Sequence, residues 1–163
     1  MSIEGTLLCR PDGAIVHVVL PPMPPTLDFA GRTFRLKHEF HVTLLGRGIL
    51  SRAGLLGRPD LGTAIRSAAR GMRFSVELDD ALWIVEQGDA ATIIRMCSVT
   101  GSADFYERFE TNTGVRIEPP PCHVTLYGSG TAKGIGIATA ADLARCGRRL
   151  ARDDAERLLR DIT

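Results

Sequence analysis

The chain reads as an α+β fold with a largely antiparallel sheet, and three observations carry that reading. Strand-like apolar runs joined by short turn signals dominate the middle of the chain, with Gly88-Asp89 marking a hairpin between two of them. Two stretches, 57–70 and 102–111, carry apolar residues at helical spacing. One strand-like octet, His41-Val42-Thr43-Leu44-Leu45-Gly46-Arg47-Gly48, returns as His123-Val124-Thr125-Leu126-Tyr127-Gly128-Ser129-Gly130. Mixed elements with short connections and hairpins belong to the α+β class.

In chain order, residues 13–20 form a dense apolar strand. Pro21, Pro22, Pro24 and Pro25 end it and start a stiff, extended loop. His17, inside that strand, reads as a structural histidine because no partner pattern surrounds it. Thr33 to Phe40 leads into the first octet. Gly57-Arg58-Pro59-Asp60 opens a helix to about Arg70, where Leu61, Ala64, Ile65, Ala68 and Ala69 make one stripe and Gly71 stops it. Strands follow at about 73–79, 81–87 and 91–99. Ser102-Ala103-Asp104 caps a second helix reaching Thr111, with Phe105, Tyr106 and Phe109 inward. Pro119-Pro120-Pro121 brings the chain, extended, into the second octet. The tail from Ala138 to Ile162 holds a short helix, a break near Cys146-Gly147, and a longer helix from about Asp153.

A length of 163 residues fits one domain, 1–163, with a sizeable core, and no Gly-, Ser- or Pro-rich linker divides it. The net charge of +1 argues against a protein that holds long nucleic acid by neutralising phosphates; a small nucleotide or an RNA terminus suits it better. The 4 cysteines, Cys9, Cys97, Cys122 and Cys146, are widely spaced and give neither a zinc pattern nor a redox pair. The first residues lack a leader pattern, and no stretch approaches the ~20 apolar residues of a membrane span, so a cytoplasmic protein is expected.

Within each octet, side chains alternate between faces. His41, Thr43 and Leu45 share one face, with Val42 and Leu44 behind. His123, Thr125 and Tyr127 share the other strand's equivalent face, with Val124 and Leu126 behind. Each strand thus shows an imidazole and a hydroxyl roughly 6–7 Å apart. Facing across a groove, the two imidazoles supply a general base and a general acid near neutral pH, and the two hydroxyls supply donors for phosphate oxygens. The pattern requires no metal and no cofactor. Lys37 shares parity with His41 if the strand runs unbroken that far, which makes it a candidate phosphate contact. Tyr127 is a candidate to stack a base or meet phosphate. Trp83 and Cys122 read as core. The glycine-rich run 128–134 lacks a P-loop ending and reads as mobile loop beside the cleft.

The pair of motifs, His41-Val42-Thr43-Leu44 and His123-Val124-Thr125-Leu126, resembles those of the 2H phosphoesterase superfamily, which includes the LigT-like 2',3'-cyclic phosphodiesterases. The resemblance implies a two-lobed fold, mostly antiparallel, with pseudo-two-fold symmetry around a central cleft. It implies His41 and His123 as the catalytic pair, Thr43 and Thr125 as phosphate contacts, and metal-independent cleavage or transfer at cyclic phosphates or 2'-5' linkages; a monomer is expected. Members acting on RNA ends often carry a basic residue where this chain has Gly128, which leaves nucleotides and ADP-ribose cyclic phosphate open. A 2'-5' oligonucleotide phosphodiesterase, or a module that binds a nucleotide or RNA end without turnover, are the alternative expectations.

Overall fold

The computed structural model describes residues 2–130 and 133–161. Nine strands join one sheet: β1 (Ser2–Arg10), β2 (Gly13–Val18), β3 (Thr26–Phe29), β4 (Arg32–Leu36), β5 (Phe40–Leu45), β6 (Phe74–Gln87), β7 (Ala90–Thr100), β8 (His123–Ser129) and β9 (Gly147–Arg149). Five helices complete the described residues: α1 (Arg47–Arg52), α2 (Leu61–Ala69), α3 (Ser102–Thr113), α4 (Ala140–Cys146) and α5 (Arg152–Asp161). Every strand pairing is antiparallel. The class is α+β, as the patterning predicts.

The strand path runs β8-β5-β2-β1-β6-β7 and returns from β7 to β8, so it closes on itself. The sheet is therefore continuous. The motif strands β5 and β8 lie next to each other and share one bridged pair, Val42 with Val124.

Several elements differ from the sequence reading, each for a local reason. Ser2–Arg10 forms β1, where Gly5 admits Val16: a Cβ at Gly5 would stand 2.3 Å from Val16 Cγ1. The stretch after the prolines is a hairpin, β3–β4, turned by Ala30 (φ 50) and Gly31 (φ 72). The two strands expected around residue 80 are one strand, β6, whose pairing to β7 shifts between Leu78 and Leu82. The first octet's glycines do end β5, but the chain then winds into α1. The hairpin at Gly88-Asp89 is present, with Gln87 paired to Ala90 and Gly88 at φ 58. The tail divides as expected, although β9 fills the break and Ile162 lies outside the described residues.

One face of the sheet is covered by helices. α2 packs on β1 and β2 and against α3. Ile65, Phe105 and Phe109 are fully buried with Val16, Val42, Leu44 and Val124 in a single core. Phe105 meets Phe74 and Tyr106 edge-on at 6.3 and 5.7 Å. Tyr106 Oη donates to Leu44 O at 2.8 Å, tying α3 to the first motif strand. Among the described residues no helix is long and apolar enough to cross a membrane.

The start of α3 is set by a glycine, not by Ser102. Gly101 takes φ 92 at the N-cap, and Ser102 Oγ donates back to Val99 O at 2.7 Å. A Cβ at Gly101 would stand 2.6 Å from Arg73 O. Gly101→Ala should therefore lower the melting temperature by roughly 3–8 °C, from left-handed strain and the close approach together. A melting curve matching the wild type would contradict this reading of the helix start.

Candidate active site

The bridge between Val42 and Val124 determines who faces whom. In an antiparallel pair it places His41 across from Thr125 and Thr43 across from His123, with all four on the face opposite the buried valines. Val42 and Val124 are 0% exposed, while the four polar residues are half-buried. The imidazoles occupy diagonal positions, whose Cα atoms are typically about 7–8 Å apart. Each ring thus has the other strand's hydroxyl as its direct neighbour. The arrangement has a local two-fold character about the valine pair.

The likeness between the octets extends to their irregularities. On β5, Leu44 is an extra residue between Thr43, paired with Ile15, and Leu45, paired with Ala14. On β8, Leu126 is an extra residue between Thr125, paired with Ile94, and Tyr127, paired with Ile93. Both are β-bulges at the same place in the motif. The bulge turns the fifth residue into the core, so Leu45 and Tyr127 are buried instead of sharing the histidine face. This corrects Tyr127 as a substrate contact: its ring is 0% exposed and its hydroxyl donates to Pro24 O at 3.0 Å.

Lys37 is corrected as well. β4 ends at Leu36 and β5 begins at Phe40, so no continuous strand gives Lys37 the parity of His41. Its backbone N–H donates to Leu126 O at 2.9 Å, and its side chain lines a separate groove of about 380 Å³ with Arg35, His38 and Gly128–Gly130. A cavity of about 660 Å³ lies between β6, β9 and α5 and touches neither motif.

Each imidazole is held from its Nδ1 side. His123 Nδ1 lies 2.8 Å from Pro121 O, an acceptor, so Nδ1 carries the proton and Nε2 is free to take one. His41 Nδ1 is screened from solvent and lies 3.4 Å from Glu39 Oε1, within ion-pair range without hydrogen-bond alignment. Burial pushes the pKa of both rings below the ordinary imidazole value. For His41 the Glu39 carboxylate works against that, while Arg10 and His17 add to it. For His123 the Pro121 carbonyl opposes burial and the charge of His41 reinforces it.

Chain from the other end of the protein walls the site. A Cβ at Gly134 would lie 3.9 Å from Thr125 Oγ1, so the glycine-rich stretch passes over the second threonine, although Thr131 and Ala132 fall outside the described residues. Gly46 stands over Thr43, where a Cβ would come within 3.2 Å of Thr43 Cγ2. Asp142, in the first turn of α4, accepts from Ala138 N and Thr139 N and pairs with Arg52 of α1 at 3.3 Å, tying α4 to the helix that follows the first motif. No group of three or more His, Cys, Asp or Glu among the described residues is placed to hold a metal ion.

The sequence reading missed three residues here. His17 is paired directly with His41 in the β2–β5 ladder, so it lies on the site's face rather than in the core. Its strand was legible, but its neighbour was not. Glu39 lies in the run from Thr33 to Phe40 that leads into the first octet and carried no signal of its own, and Arg10 belongs to a strand not foreseen.

No protein-family model, curated protein or solved structure matches this chain.

The bulge accounts for Tyr127 as a structural residue. Tyr127→Phe should lower the urea midpoint through the loss of one partly buried hydrogen bond, about 0.5–1.5 kcal/mol, with an unchanged m-value. Wild-type stability in that variant would return the hydroxyl to the cleft.

Proposed function

We propose that the chain is a metal-independent phosphodiesterase of the two-histidine kind, opening a cyclic phosphate. A 2',3'-cyclic nucleotide, a cyclic RNA end or ADP-ribose cyclic phosphate has the required chemistry. The observation that supports this most is the crossed register: His41 beside Thr125, Thr43 beside His123, both rings on one face. A phosphorus atom bound between the rings has an imidazole toward each side and a hydroxyl toward each non-bridging oxygen.

His123 acts as the base. Its Nδ1–H is engaged by Pro121 O, which leaves the Nε2 lone pair to accept a proton from an attacking water. The water oxygen forms the new P–O bond as one ring P–O bond breaks. His41 acts as the acid, protonating the departing ribose oxygen. Glu39 beside its Nδ1 favours the charged ring that this role requires. Thr43 and Thr125 donate hydrogen bonds to the oxygens on which charge accumulates. The product is a phosphomonoester.

The roles define the pH profile. Both ring pKa values lie below the ordinary value, so kcat/KM should be bell-shaped with its maximum below about pH 6.5. Activity falls on the alkaline side as His41 loses its proton. Glu39→Gln removes the influence that raises His41, so the alkaline limb should move to lower pH while the acid limb stays. An alkaline limb that did not move, or moved up, would reverse the assignment.

A panel of 2',3'-cyclic mononucleotides, ADP-ribose cyclic phosphate and 2'-5' dinucleotides, assayed with EDTA present, tests the activity itself. Turnover should persist in EDTA. His41→Ala or His123→Ala should reduce kcat by about 10²–10⁴-fold, and Thr125→Val by roughly 10²-fold. Binding of these compounds with no product at any pH would show a non-catalytic binding module instead.

A further inference from the structure

The two flanks of the site are unlike. On the His123 side the floor is apolar and roofed. Met96 pairs with His123 and Ile94 with Thr125. Ile94 and Val85 are buried beneath Ile137 and Leu143, with Trp83, Met96 and Ile135 packed around them. Together with Gly134 over Thr125, this closes the approach over β7. A substrate that extends from the reacting phosphate and its ribose over β2 and β1 meets no such cover.

That flank is open and cationic. His17 stands opposite His41, and Ile15 opposite Thr43. Thr6 stands opposite His17, and Leu8 opposite Ile15. Directly opposed residues share a face, so Thr6, Leu8 and Arg10 of β1 continue the polar face beyond His41, and all three are exposed. The charge of Arg10 reaches the His41 ring, where it is felt behind burial and Glu39. Among the described residues neither Arg10 nor His17 makes a side-chain hydrogen bond or ion pair.

The acidic groups confine where an anion can lie. Glu39 stands at the His41 end of β5, and Glu4 lies farther along β1, opposite Ser75. Both are at the end of the face away from the β1–β2 turn. At the turn, Asp12 is already paired with Arg47. An anion over the exposed Leu8 lies between Arg10 and His17 along the ladder, on the side toward the turn and away from the end that carries Glu39 and Glu4.

We infer that Arg10 and His17 form a second anion subsite, which binds a phosphate group of the substrate other than the one being cleaved. This rests on the reading of His41 and His123 as a phosphodiesterase centre. It narrows the substrate to cyclic phosphates carrying a further phosphate close by, with the ribose between the two. Arg10 supplies the fixed charge and the forked donors, and His17 an N–H donor beside the reacting group.

Equilibrium binding separates this subsite from catalysis. Calorimetry with adenosine 3',5'-bisphosphate and adenosine 3'-monophosphate should show the wild type preferring the bisphosphate by about 10-fold or more, the worth of one charge-assisted contact. Arg10→Gln and His17→Gln should each remove most of that preference, the bisphosphate losing more affinity than the monophosphate. Arg35→Gln, in the separate groove beside Gly128, should leave the preference intact. Absence of a preference in the wild type, its survival in the Arg10→Gln/His17→Gln double variant, or its loss in Arg35→Gln alone would overturn the subsite. Wild-type turnover of a 2',3'-cyclic mononucleotide lacking a second phosphate reports on the catalytic reading alone, so the two can fail separately.

Discussion

One backbone bridge organises the site. Val42 and Val124 pair where β5 and β8 meet, and their buried side chains fix which faces of the two strands point away from the core. A slip of one residue in either strand would carry an imidazole and a hydroxyl into the apolar layer and bring Val or Leu out. The register is thus held by burial on one face, and the polar constellation on the other follows from it. The paired bulges at Leu44 and Leu126 reinforce this, since each sends one more large side chain, Leu45 or Tyr127, into the core two residues after the threonine. A glycine stands over each threonine, Gly46 just after β5 over Thr43 and the distant Gly134 over Thr125.

The electrostatics follow from the same placement. Two imidazoles set half-buried on a sheet are pushed toward their neutral forms by desolvation, and each needs a fixed partner on its inner nitrogen to hold one orientation. A backbone carbonyl fills that role for His123 and a carboxylate lies beside His41. These partners differ in charge, so two residues alike in sequence are made unlike in proton affinity. The wider surroundings are asymmetric too, apolar and covered over β7, exposed and basic over β1 and β2.

Much of this was legible in the chain itself. The repeat, the strand assignment and the split of His and Thr from Val and Leu all follow from side-chain alternation. The parity failed where backbone irregularity intervened. A bulge has no strong residue signature in Leu-Leu or Leu-Tyr, so Tyr127 seemed to face the cleft. The break at 37–39 likewise removed Lys37 from the strand of His41. The prolines before Thr26 masked an alternating pair of short strands, although Ala30-Gly31 between them was a turn signal. Strand order was the larger gap. That β2 lies against β5, and β1 against β2, depends on contacts distant in sequence, and only those contacts bring His17 and Arg10 to the histidine face.

The juxtaposition of the two rings can be observed without any substrate. Titrating the imidazole resonances by NMR in the wild type and in His41→Gln tests it most directly. His123 should titrate below the free imidazole value in the wild type, and removal of the neighbouring positive charge should move its midpoint upward. A His123 midpoint at the ordinary value, indifferent to the loss of His41, would place the rings apart and contradict the account.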